Sequence, residues 1–398
     1  MLDFYQARAE LCAQARTTSI QTEPIVQCAQ RYLAQDIRAQ YDAPLFTNSA
    51  MDGYALHLRP EDEAQNYDIV ARIAAGEDAR AVALKQGQAS RIFTGAPIPQ
   101  GCNAVVAQEQ VTVAGRQLRC TKVPKLNEHI RVQGEDFAVG KILLSKGQRL
   151  TPQAIGLLAS QGYAELPVHQ RLRVTVFSTG NELLEPASPM RAGAIYDANR
   201  YQLLSWLQQL NCEVTDGGIL ADDLVQTTEQ LRHASRNSEL IITSGGASVG
   251  EEDHLKSAIS AVGELTSWKL AIKPGKPFAW GHIGQAQVMM LPGNPVATFV
   301  TFKMLVEPVI RMNMGATIEG ARVAIVYARA NFSTAKAESR REFLRGVLWF
   351  DGQGLAHVDK LDNQGSHMLS ACVQANCLIE VAPDVVVKKN ALVAVHRF

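Results

Sequence analysis

Strand-like and helix-like patterns alternate along residues 170–318, and this alternation restricts the fold more than any other feature of the sequence. Apolar and β-branched runs predict strands at residues 173–178, 213–215, 240–242, 268–272 and 287–291. Helical patterns predict helices at residues 200–210, 224–234, 253–259 and 296–312. Alternation of this kind is typical of a mostly parallel sheet with helices on both faces. We therefore predict a three-layer α/β domain at residues 171–318, with its ligand site beyond the carboxyl ends of the strands.

The segments on either side of this domain carry different patterns. Short β-branched and aromatic runs separated by turns predict a small β-barrel or sandwich at residues 319–398. Short apolar runs among many glycines and prolines predict a β-rich module at residues 45–137. Residues 1–44 and 138–170 are predicted to form one helical or mixed linking domain. Its helices are expected within residues 3–40 and 151–165. The chain is thus expected to be a multidomain protein.

Composition narrows the classes of function. The chain has 398 residues, with 39 basic and 39 acidic side chains. Without a net charge it has no overall field that would attract nucleic acid or a membrane surface, so we expect neither as a partner. No run approaches the roughly 20 apolar residues of a membrane span, and residues 1–6 lack the pattern of a signal peptide. The cysteines are scattered and odd in number, which argues against disulfides and zinc knuckles and favours a cytoplasmic location.

The segment 241–253, with the sequence I-I-T-S-G-G-A-S-V-G-E-E-D, is compatible with two functions. It lies between a predicted strand and a predicted helix, and it contains the G-x-S-x-G elbow of serine hydrolases, in which Ser248 would be the nucleophile. As an alternative, Gly245, Gly246 and Gly250 would let backbone N–H groups approach an oxyanion such as phosphate. The acidic residues that follow and the lysines nearby favour a metal-bound anion over an ester. Histidines after Ser248 keep the hydrolase open as an alternative.

Further loops join this segment at the predicted strand ends. They are residues 178–182, 222–223, 273–276 and 292–294. Because the carboxyl ends of parallel strands meet at one edge of a sheet, these loops should line one crevice. The candidate cations in it are Lys269, Lys273 and Lys276. The candidate Mg²⁺ ligands are the carboxylates Glu182, Asp222 and Asp253. Asp222 and Asp253 also stand where helix N-caps are expected, and the two roles are compatible.

Six motifs spread over nearly the whole chain together resemble one family. They are residues 48–53 (N-S-A-M-D-G), 244–250 (S-G-G-A-S-V-G), 273–277 (K-P-G-K-P), 292–295 (P-G-N-P), 342–346 (E-F-L-R-G) and 365–369 (G-S-H-M-L). In these motifs the chain resembles the molybdopterin molybdenumtransferases, or MoeA family, which includes the C-terminal domain of gephyrin. The resemblance implies a transferase of molybdenum cofactor biosynthesis that inserts molybdenum from molybdate into adenylylated molybdopterin and releases AMP. It also implies that the reaction depends on a divalent metal such as Mg²⁺.

The family resemblance and the loops at the predicted strand ends together imply the site residues. The catalytic set would be Asp52, Thr94, Asp136, Glu182, Asp222 and Asp253. The substrate-binding set would be Arg131, Gly245, Gly246, Ser248, Gly250, Lys269, Lys273, Lys276, Pro292, Asn294, Arg345 and Ser366. The metal ligands would be Asp52, Asp136, Glu182, Asp222 and Asp253. The resemblance further implies a homodimer whose cleft is shared between subunits, with the molybdopterin adenylyltransferase and apo-molybdoenzymes as partners.

Three positions depart from the family's usual pattern. Asn181 stands where the family usually has aspartate, Gln133 where it often has arginine, and Asn103 where it often has aspartate. Each change removes a charge near a proposed site. A scaffold or paralogue that holds the pterin without turnover is therefore the second candidate function.

Overall fold

The chain forms two compact units in a computed structural model that describes residues 1–58, 66–122, 124–247 and 254–398. Unit 1 comprises Met1–Gln35, Lys146–Ile155 and Ala164–Phe398. Unit 2 comprises Asp36–Ser145 and Gly156–Tyr163. The division into four domains that the sequence suggests remains a prediction.

A six-stranded sheet forms the centre of unit 1. Its strands, in spatial order, are Glu213–Leu220, Arg173–Thr179, Leu240–Ser244, Ala286–Leu291, Pro277–Ile283 and Glu264–Lys269. The first four pair in parallel and the last two are antiparallel. The predicted mostly parallel sheet is therefore confirmed, with an antiparallel edge that the sequence analysis did not foresee.

Alternate residues of the central strands pack into two different cores, which makes the domain three-layered. Ile242 and Leu291 belong to one buried cluster, and Ile241 and Met290 belong to another. Successive strand side chains point to opposite faces, so a strand that is buried on both faces must be apolar at every position. This is why the strand Leu240–Ser244 reads as a continuous apolar run that ends in small polar residues.

Helices cover both faces of this sheet. They are Asn199–Gln209, Leu224–Asn237, His254–Val262 and a continuous helical segment made of Pro295–Thr301, the π-helical turn Phe302–Val306 and Glu307–Asn313. These agree with the predicted helices to within a few residues at each end. Among the described helices, none combines the length and the apolar composition that a membrane crossing requires.

The prediction of one strand at residues 268–272 was wrong in its bounds. The sheet strand is Glu264–Lys269, and the chain then turns, because the Leu270 N–H donates to the Lys276 carbonyl oxygen at 2.7 Å. Ile272 and Lys273 form a separate short strand that pairs with Arg341 and Glu342. Residues 268–272 therefore contribute to two different sheets. The pairing of Ile272 and Lys273 with Arg341 and Glu342 joins the α/β part of unit 1 to its C-terminal part.

The C-terminal part of unit 1 is a closed β-barrel, as predicted. Its strands are Ile325–Ala330, Arg341–Phe350, Ala356–Lys360, Cys377–Val381 and Leu392–Arg397. Arg341–Phe350 pairs with both Ala356–Lys360 and Cys377–Val381, and this double pairing closes the barrel. The long strand can do so because Gly346 leaves room for Ile379: a Cβ at position 346 would lie 2.6 Å from that side chain.

The expectation that residues 3–40 are helical holds only for the first part of that segment. Only Phe4–Ala13 is α-helical there, and it is followed by the strand Ile20–Pro24, which pairs with Glu165–His169. Phe4, Ala7 and Leu11 lie one helical turn apart and are buried, whereas the segment after residue 17 contains β-branched residues and Pro24, which disfavour helix. The second expected helix exists as Pro152–Ser160.

Unit 2 is β-rich, as predicted. Its six-stranded sheet has the order Ala104–Ala107, Gly53–Leu56, Gln88–Ile92, Asn66–Ile73, Gln117–Cys120 and Val111–Ala114. Two short pairs complete the described strands of this unit. They are Ile37–Arg38 with Ile142–Leu144, and Asn48–Ser49 with Ile130–Arg131.

Gly53, in the N-S-A-M-D-G motif, is required by the packing of this sheet. A Cβ at position 53 would lie 1.8 Å from the Val106 carbonyl oxygen in the neighbouring strand. We expect Gly53→Ala to lower the free energy of unfolding by about 3 kcal/mol, because a backbone atom cannot move aside without breaking the strand pairing. Urea unfolding followed by circular dichroism measures the change.

Gly156→Ala is the matched control for that experiment. Gly156 lies inside the helix Pro152–Ser160, and a Cβ there meets no atom within 4 Å. Alanine is favoured over glycine in a helix by roughly 1 kcal/mol, so this variant should be as stable as the parent or more stable. Equal stability of the two variants would contradict the steric explanation for Gly53.

Candidate functional site

A cavity of about 940 Å³ in unit 1 collects most of the predicted substrate-binding side chains of that unit. The predicted residues that line it are Glu182, Lys273, Lys276, Pro292, Asn294, Arg345 and Ser366. Pro292 and Asn294 follow the strand Ala286–Leu291 at its carboxyl end, whereas Arg345 and Ser366 come from the barrel. The cavity therefore lies where the parallel sheet and the barrel meet.

The K-P-G-K-P loop presents two lysines to this cavity. Gly275 has a φ of +107°, and a Cβ there would lie 2.7 Å from the Thr301 hydroxyl oxygen, so the loop can turn this tightly only with glycine. Lys276 is exposed, and within the described part of the chain no carboxylate lies at ion-pair distance from it. It is a cation available to an anionic ligand.

Lys273 is in a different electrostatic state, because two carboxylates hold its ammonium group. Its Nζ lies 3.1 Å from Glu342 Oε1 and 3.2 Å from Glu338 Oε1. Burial opposes the charged form, but the hydrogen bonds to Glu342 and Glu338 outweigh it and raise the pKa of Lys273. The lysine could be recognised from its motif, and Glu342 appears only as the first residue of the E-F-L-R-G motif. Neither Glu342 nor Glu338 could be paired with Lys273 from the sequence, because both lie more than 60 residues further along the chain.

Arg345 is almost fully buried and shapes the loop that carries Ser366. Only 1% of it is exposed, and its Nη2 donates to the carbonyl oxygens of Asn363 at 3.1 Å and Gly365 at 3.2 Å. Burial lowers the pKa of its guanidinium. Within the described part of the chain, Arg345 Nε has no hydrogen-bond partner and the guanidinium group pairs with no carboxylate. An incompletely bonded buried cation at a cavity wall favours an anionic ligand.

The side chains of Asp197, Asn199 and Arg200 connect the ends of the parallel strands, and none of them was among the predicted site residues. Asn199 Nδ2 donates to the Ser244 hydroxyl oxygen and to the Gly293 carbonyl oxygen, both at 2.7 Å. Asp197 accepts from the Ser178 hydroxyl at 2.6 Å and from Arg200 Nε at 3.0 Å. The only indication of these residues in the sequence is the polar run D-A-N-R at 197–200, at the start of a predicted helix. These contacts fix the loops whose residues line the cavity.

The glycine-rich loop begins as predicted at the end of the strand Leu240–Ser244. Gly245 and Gly246 have φ values of +96° and +72°, and a Cβ on Gly245 would lie 2.7 Å from the Thr179 carbonyl oxygen. Ser248, Gly250 and Asp253 lie outside the described residues. The geometry therefore tests neither the nucleophile assigned to Ser248 nor the metal and N-cap roles of Asp253.

Asp222 and Lys269 do not line the cavity. Asp222 Oδ2 accepts from Asn181 Nδ2 at 3.0 Å, and His254 Nε2 lies 3.5 Å from Oδ1. The expectation that Asp222 caps the following helix was wrong by one residue, because Asp223 accepts from the Gln226 N–H at 2.7 Å. Lys269 ends an edge strand and is exposed.

In unit 2, Asp52 and Thr94 are in direct contact. Asp52 Oδ1 accepts from both the backbone N–H and the hydroxyl of Thr94, each at 2.8 Å, and these bonds hold the pKa of Asp52 below its usual range. Arg131 lies opposite Asn48 in a short strand pair. Asp136 is exposed on a loop that follows this pair, and its backbone N–H donates to the Ala43 carbonyl oxygen. Asp52 is therefore an ionised carboxylate of fixed orientation.

The three departures from the family pattern each make defined hydrogen bonds. Asn181 donates to Asp222, where an aspartate would repel it. Gln133 Nε2 donates to Asp42 Oδ2 at 2.8 Å. Asn103 accepts from the Leu58 N–H at 2.7 Å and donates to the Leu58 carbonyl oxygen at 2.9 Å. Each side chain is thus accommodated locally.

Comparison with known proteins gives one consistent result along the chain. Residues 2–162 match the family model of the MoeA N-terminal region (domain I and II), residues 175–312 match a probable molybdopterin binding domain, and residues 327–398 match the MoeA C-terminal region (domain IV). The molybdopterin molybdenumtransferase of Haemophilus influenzae is 40% identical over 382 residues, which cover 95% of this chain and 94% of that protein. Molybdopterin molybdenumtransferase 2 of Mycobacterium tuberculosis is 35% identical over 380 residues, covering 92% and 91%.

Solved structures agree with these sequence relatives. A crystal structure of the molybdopterin biosynthesis MoeA protein from Pyrococcus horikoshii has a TM-score of 0.79 at 27% identity and covers 100% of this chain and 99% of that one. A second structure of that protein has a TM-score of 0.83 at 24% identity, with 100% of both chains covered. The similarity therefore extends over both units of the chain.

Proposed function

Because this chain belongs to the molybdopterin molybdenumtransferase (MoeA) family, we propose that it inserts molybdenum from molybdate into adenylylated molybdopterin and releases AMP. It is a transferase of molybdenum cofactor biosynthesis, as its curated relatives are. The observation that carries the finer proposal is the convergence of Lys273, Lys276 and Arg345 on one cavity beside the parallel sheet. Arg340 also lines this cavity, and four cations in one cavity suit a reaction in which both substrates are anions.

In the proposed reaction the protein must hold two anions, molybdate and adenylylated molybdopterin, close together while the phosphoanhydride bond that links AMP to the pterin is broken. Lys276 and Arg345 would stabilise the negative charge that develops on phosphate and molybdate oxygens, since preorganised donors in a partly dry site act more strongly than water does. The Ser366 hydroxyl would donate to one of these oxygens. Glu182, a carboxylate in the same cavity, would order the substrate.

Molybdenum itself needs no protein ligand in this scheme, because the dithiolene sulfurs of the pterin bind it. All seven cysteines are free thiols, and none lines the cavity. Burial raises the pKa of Cys212 to about 12 and that of Cys372 to about 11, so both are neutral thiols at physiological pH. Neutral thiols are poor metal ligands. A cytoplasmic location is also part of the proposal, on the ground of the scattered cysteines and their odd number in the sequence.

Dependence on Mg²⁺ is part of the proposal. Within the described residues no three His, Cys, Asp or Glu side chains converge as a metal site, so these residues alone do not fit the ion. Asp253 lies outside them, and Asp52 and Asp136 belong to unit 2. We therefore assign no step to the metal, and propose Glu182, Asp222, Asp253, Asp52 and Asp136 as the residues from which its ligands come.

We also propose that the active form is a homodimer with a cleft shared between subunits. This proposal is supported by the distribution of the candidate residues over the two units. The cavity belongs to unit 1, whereas unit 2 contains Asp52, Thr94, Arg131 and Asp136. The molybdopterin adenylyltransferase, which would supply the adenylylated pterin, and apo-molybdoenzymes, which would receive the product, are the proposed partners.

A reconstituted assay tests the reaction. Purified protein given adenylylated molybdopterin, molybdate and Mg²⁺ is expected to release AMP and to yield cofactor that activates an apo-molybdoenzyme. AMP is measured by chromatography, and the control omits molybdate. Chelation of Mg²⁺ should stop AMP release.

Two other outcomes would contradict the proposal. Binding of the pterin without AMP release at any Mg²⁺ concentration would indicate a scaffold that lacks turnover. Stoichiometric labelling of Ser248 by a fluorophosphonate, together with esterase activity that is lost in Ser248→Ala, would indicate a serine hydrolase instead.

A further inference from the structure

The ammonium group of Lys273 lies in a locally negative cluster, although it lines a cavity proposed to bind anions. Its Nζ contacts one oxygen each of Glu342 and Glu338, at 3.1 and 3.2 Å. One positive and two negative charges give these three groups in direct contact a formal charge of −1. Arg340, which also lines the cavity, donates to the Ile272 carbonyl oxygen at 3.1 Å. Lys336 Nζ approaches Glu338 at 3.6 Å, but its side chain is 80% exposed, so water screens its charge. An oxyanion that approaches Lys273 must therefore compete with carboxylates already bound to it.

The two carboxylates differ in how firmly they are held. Glu342 is the second residue of the strand Arg341–Phe350 and lies directly opposite Lys273 in the short parallel pairing, and its side chain is 11% exposed. Glu338 precedes that strand in a loop without regular structure, does not line the cavity, and has a side chain that is 23% exposed. Its backbone is anchored by the Asp384 N–H, which donates to the Glu338 carbonyl oxygen at 2.8 Å. Glu338 can therefore release the lysine by a rotamer change alone.

We infer that Glu338 competes with the anionic substrate for Lys273, and that substrate binding transfers the ammonium group from Glu338 to a substrate oxyanion while Glu342 keeps hold of it. The substrate class, a phosphate- or molybdate-type oxyanion, rests on the proposed function. The competition sets a threshold for binding, since a weakly charged ligand gains too little from Lys273 to displace a carboxylate. Glu338 is in this sense a residue that determines specificity.

Isothermal titration calorimetry with sodium molybdate, and separately with AMP, tests the inference. Glu338→Gln keeps the size of the side chain and removes the competing charge, so we expect at least one of these ligands to bind about two- to fivefold more tightly, the range that ion pairs exposed to solvent support. Glu165→Gln is the matched control: it removes the same charge from an exposed position that does not line the cavity, and it should leave both affinities unchanged. Thermal unfolding of both variants shows that the fold is retained.

The double variant Glu338→Gln/Lys273→Met separates competition from a general change in charge. If Glu338 acts through Lys273, the gain in affinity should vanish when Lys273 is absent, and its persistence would overturn the inference. Unchanged or weaker anion binding by Glu338→Gln would overturn it as well, since Glu338 would then be neutral or would itself help to bind the ligand. These titrations involve no turnover, so a failure of AMP release would refute the proposed reaction without affecting this result.

Discussion

Replacement of Lys276 by methionine is expected to slow single-turnover release of AMP by about 100- to 1,000-fold, equivalent to roughly 2.7–4 kcal/mol of transition-state stabilisation. Lys276 lines the cavity, and among the described residues it has no ion-pair partner that would compensate its charge. Methionine keeps most of the length of the side chain and removes only the charge. The measurement is rapid-quench kinetics with saturating adenylylated molybdopterin and molybdate.

Lys389→Met serves as the control for loss of one positive charge. Lys389 is exposed on a loop of the barrel and does not line the cavity. Its variant should react at the parental rate. A loss of less than about tenfold for Lys276→Met would mean that the lysine contributes only as a surface charge does, and the role assigned to it would be wrong.

Mixing two inactive variants is expected to restore about a quarter of the parental activity, if the cleft is shared between subunits. Asp52→Ala removes the oriented carboxylate of unit 2, and Lys276→Met removes a cation from the cavity of unit 1. Random exchange of subunits makes about half of the dimers mixed, and each mixed dimer has one complete site out of two. Each variant alone should retain about 1% of the activity or less.

The experiment needs subunit exchange, which mild denaturation and refolding of the mixture provide, and AMP release is measured afterwards. Parental protein alone, taken through the same denaturation and refolding, shows how much activity survives the procedure. No recovery in the mixture of single variants would mean that Asp52 and Lys276 serve one site within a single chain. A monomer at working concentrations would contradict the shared cleft directly.

The central sheet could be predicted because its signal is local. Its core strands are apolar at nearly every position, and loops at the strand ends are rich in glycine, lysine and acidic residues. The antiparallel strand Pro277–Ile283 was missed because Gly281 and His282 interrupt the apolar pattern. Gly281 is there because a Cβ would lie 1.9 Å from the Glu264 carbonyl oxygen, a contact that only the folded sheet creates.

The sequence predicted several residues of the candidate site, but it did not predict which residues these side chains contact. Lys273, Lys276 and Arg345 were recognised from motifs, and they do line one cavity. Nothing near Lys273 in the sequence indicates that Glu338 and Glu342 hold its ammonium group, or that Arg345 is buried against the carbonyl groups of residues 363 and 365. Lys269, which has the same residue type and lies on a neighbouring segment, is outside the cavity.

The sequence by itself determined the fold class, the family and the chemical character of the site, because hydrophobic periodicity, turn residues and charged groups are properties of short segments. Only the tertiary structure decided that, among the described residues, Lys276 has no carboxylate partner and Arg345 is buried without a counter-charge, and which glycines are required by a neighbouring strand. These properties depend on distances between residues that are far apart in the chain. The energy of a charge depends on its burial and on its partners, and both exist only after the strands and loops have packed together.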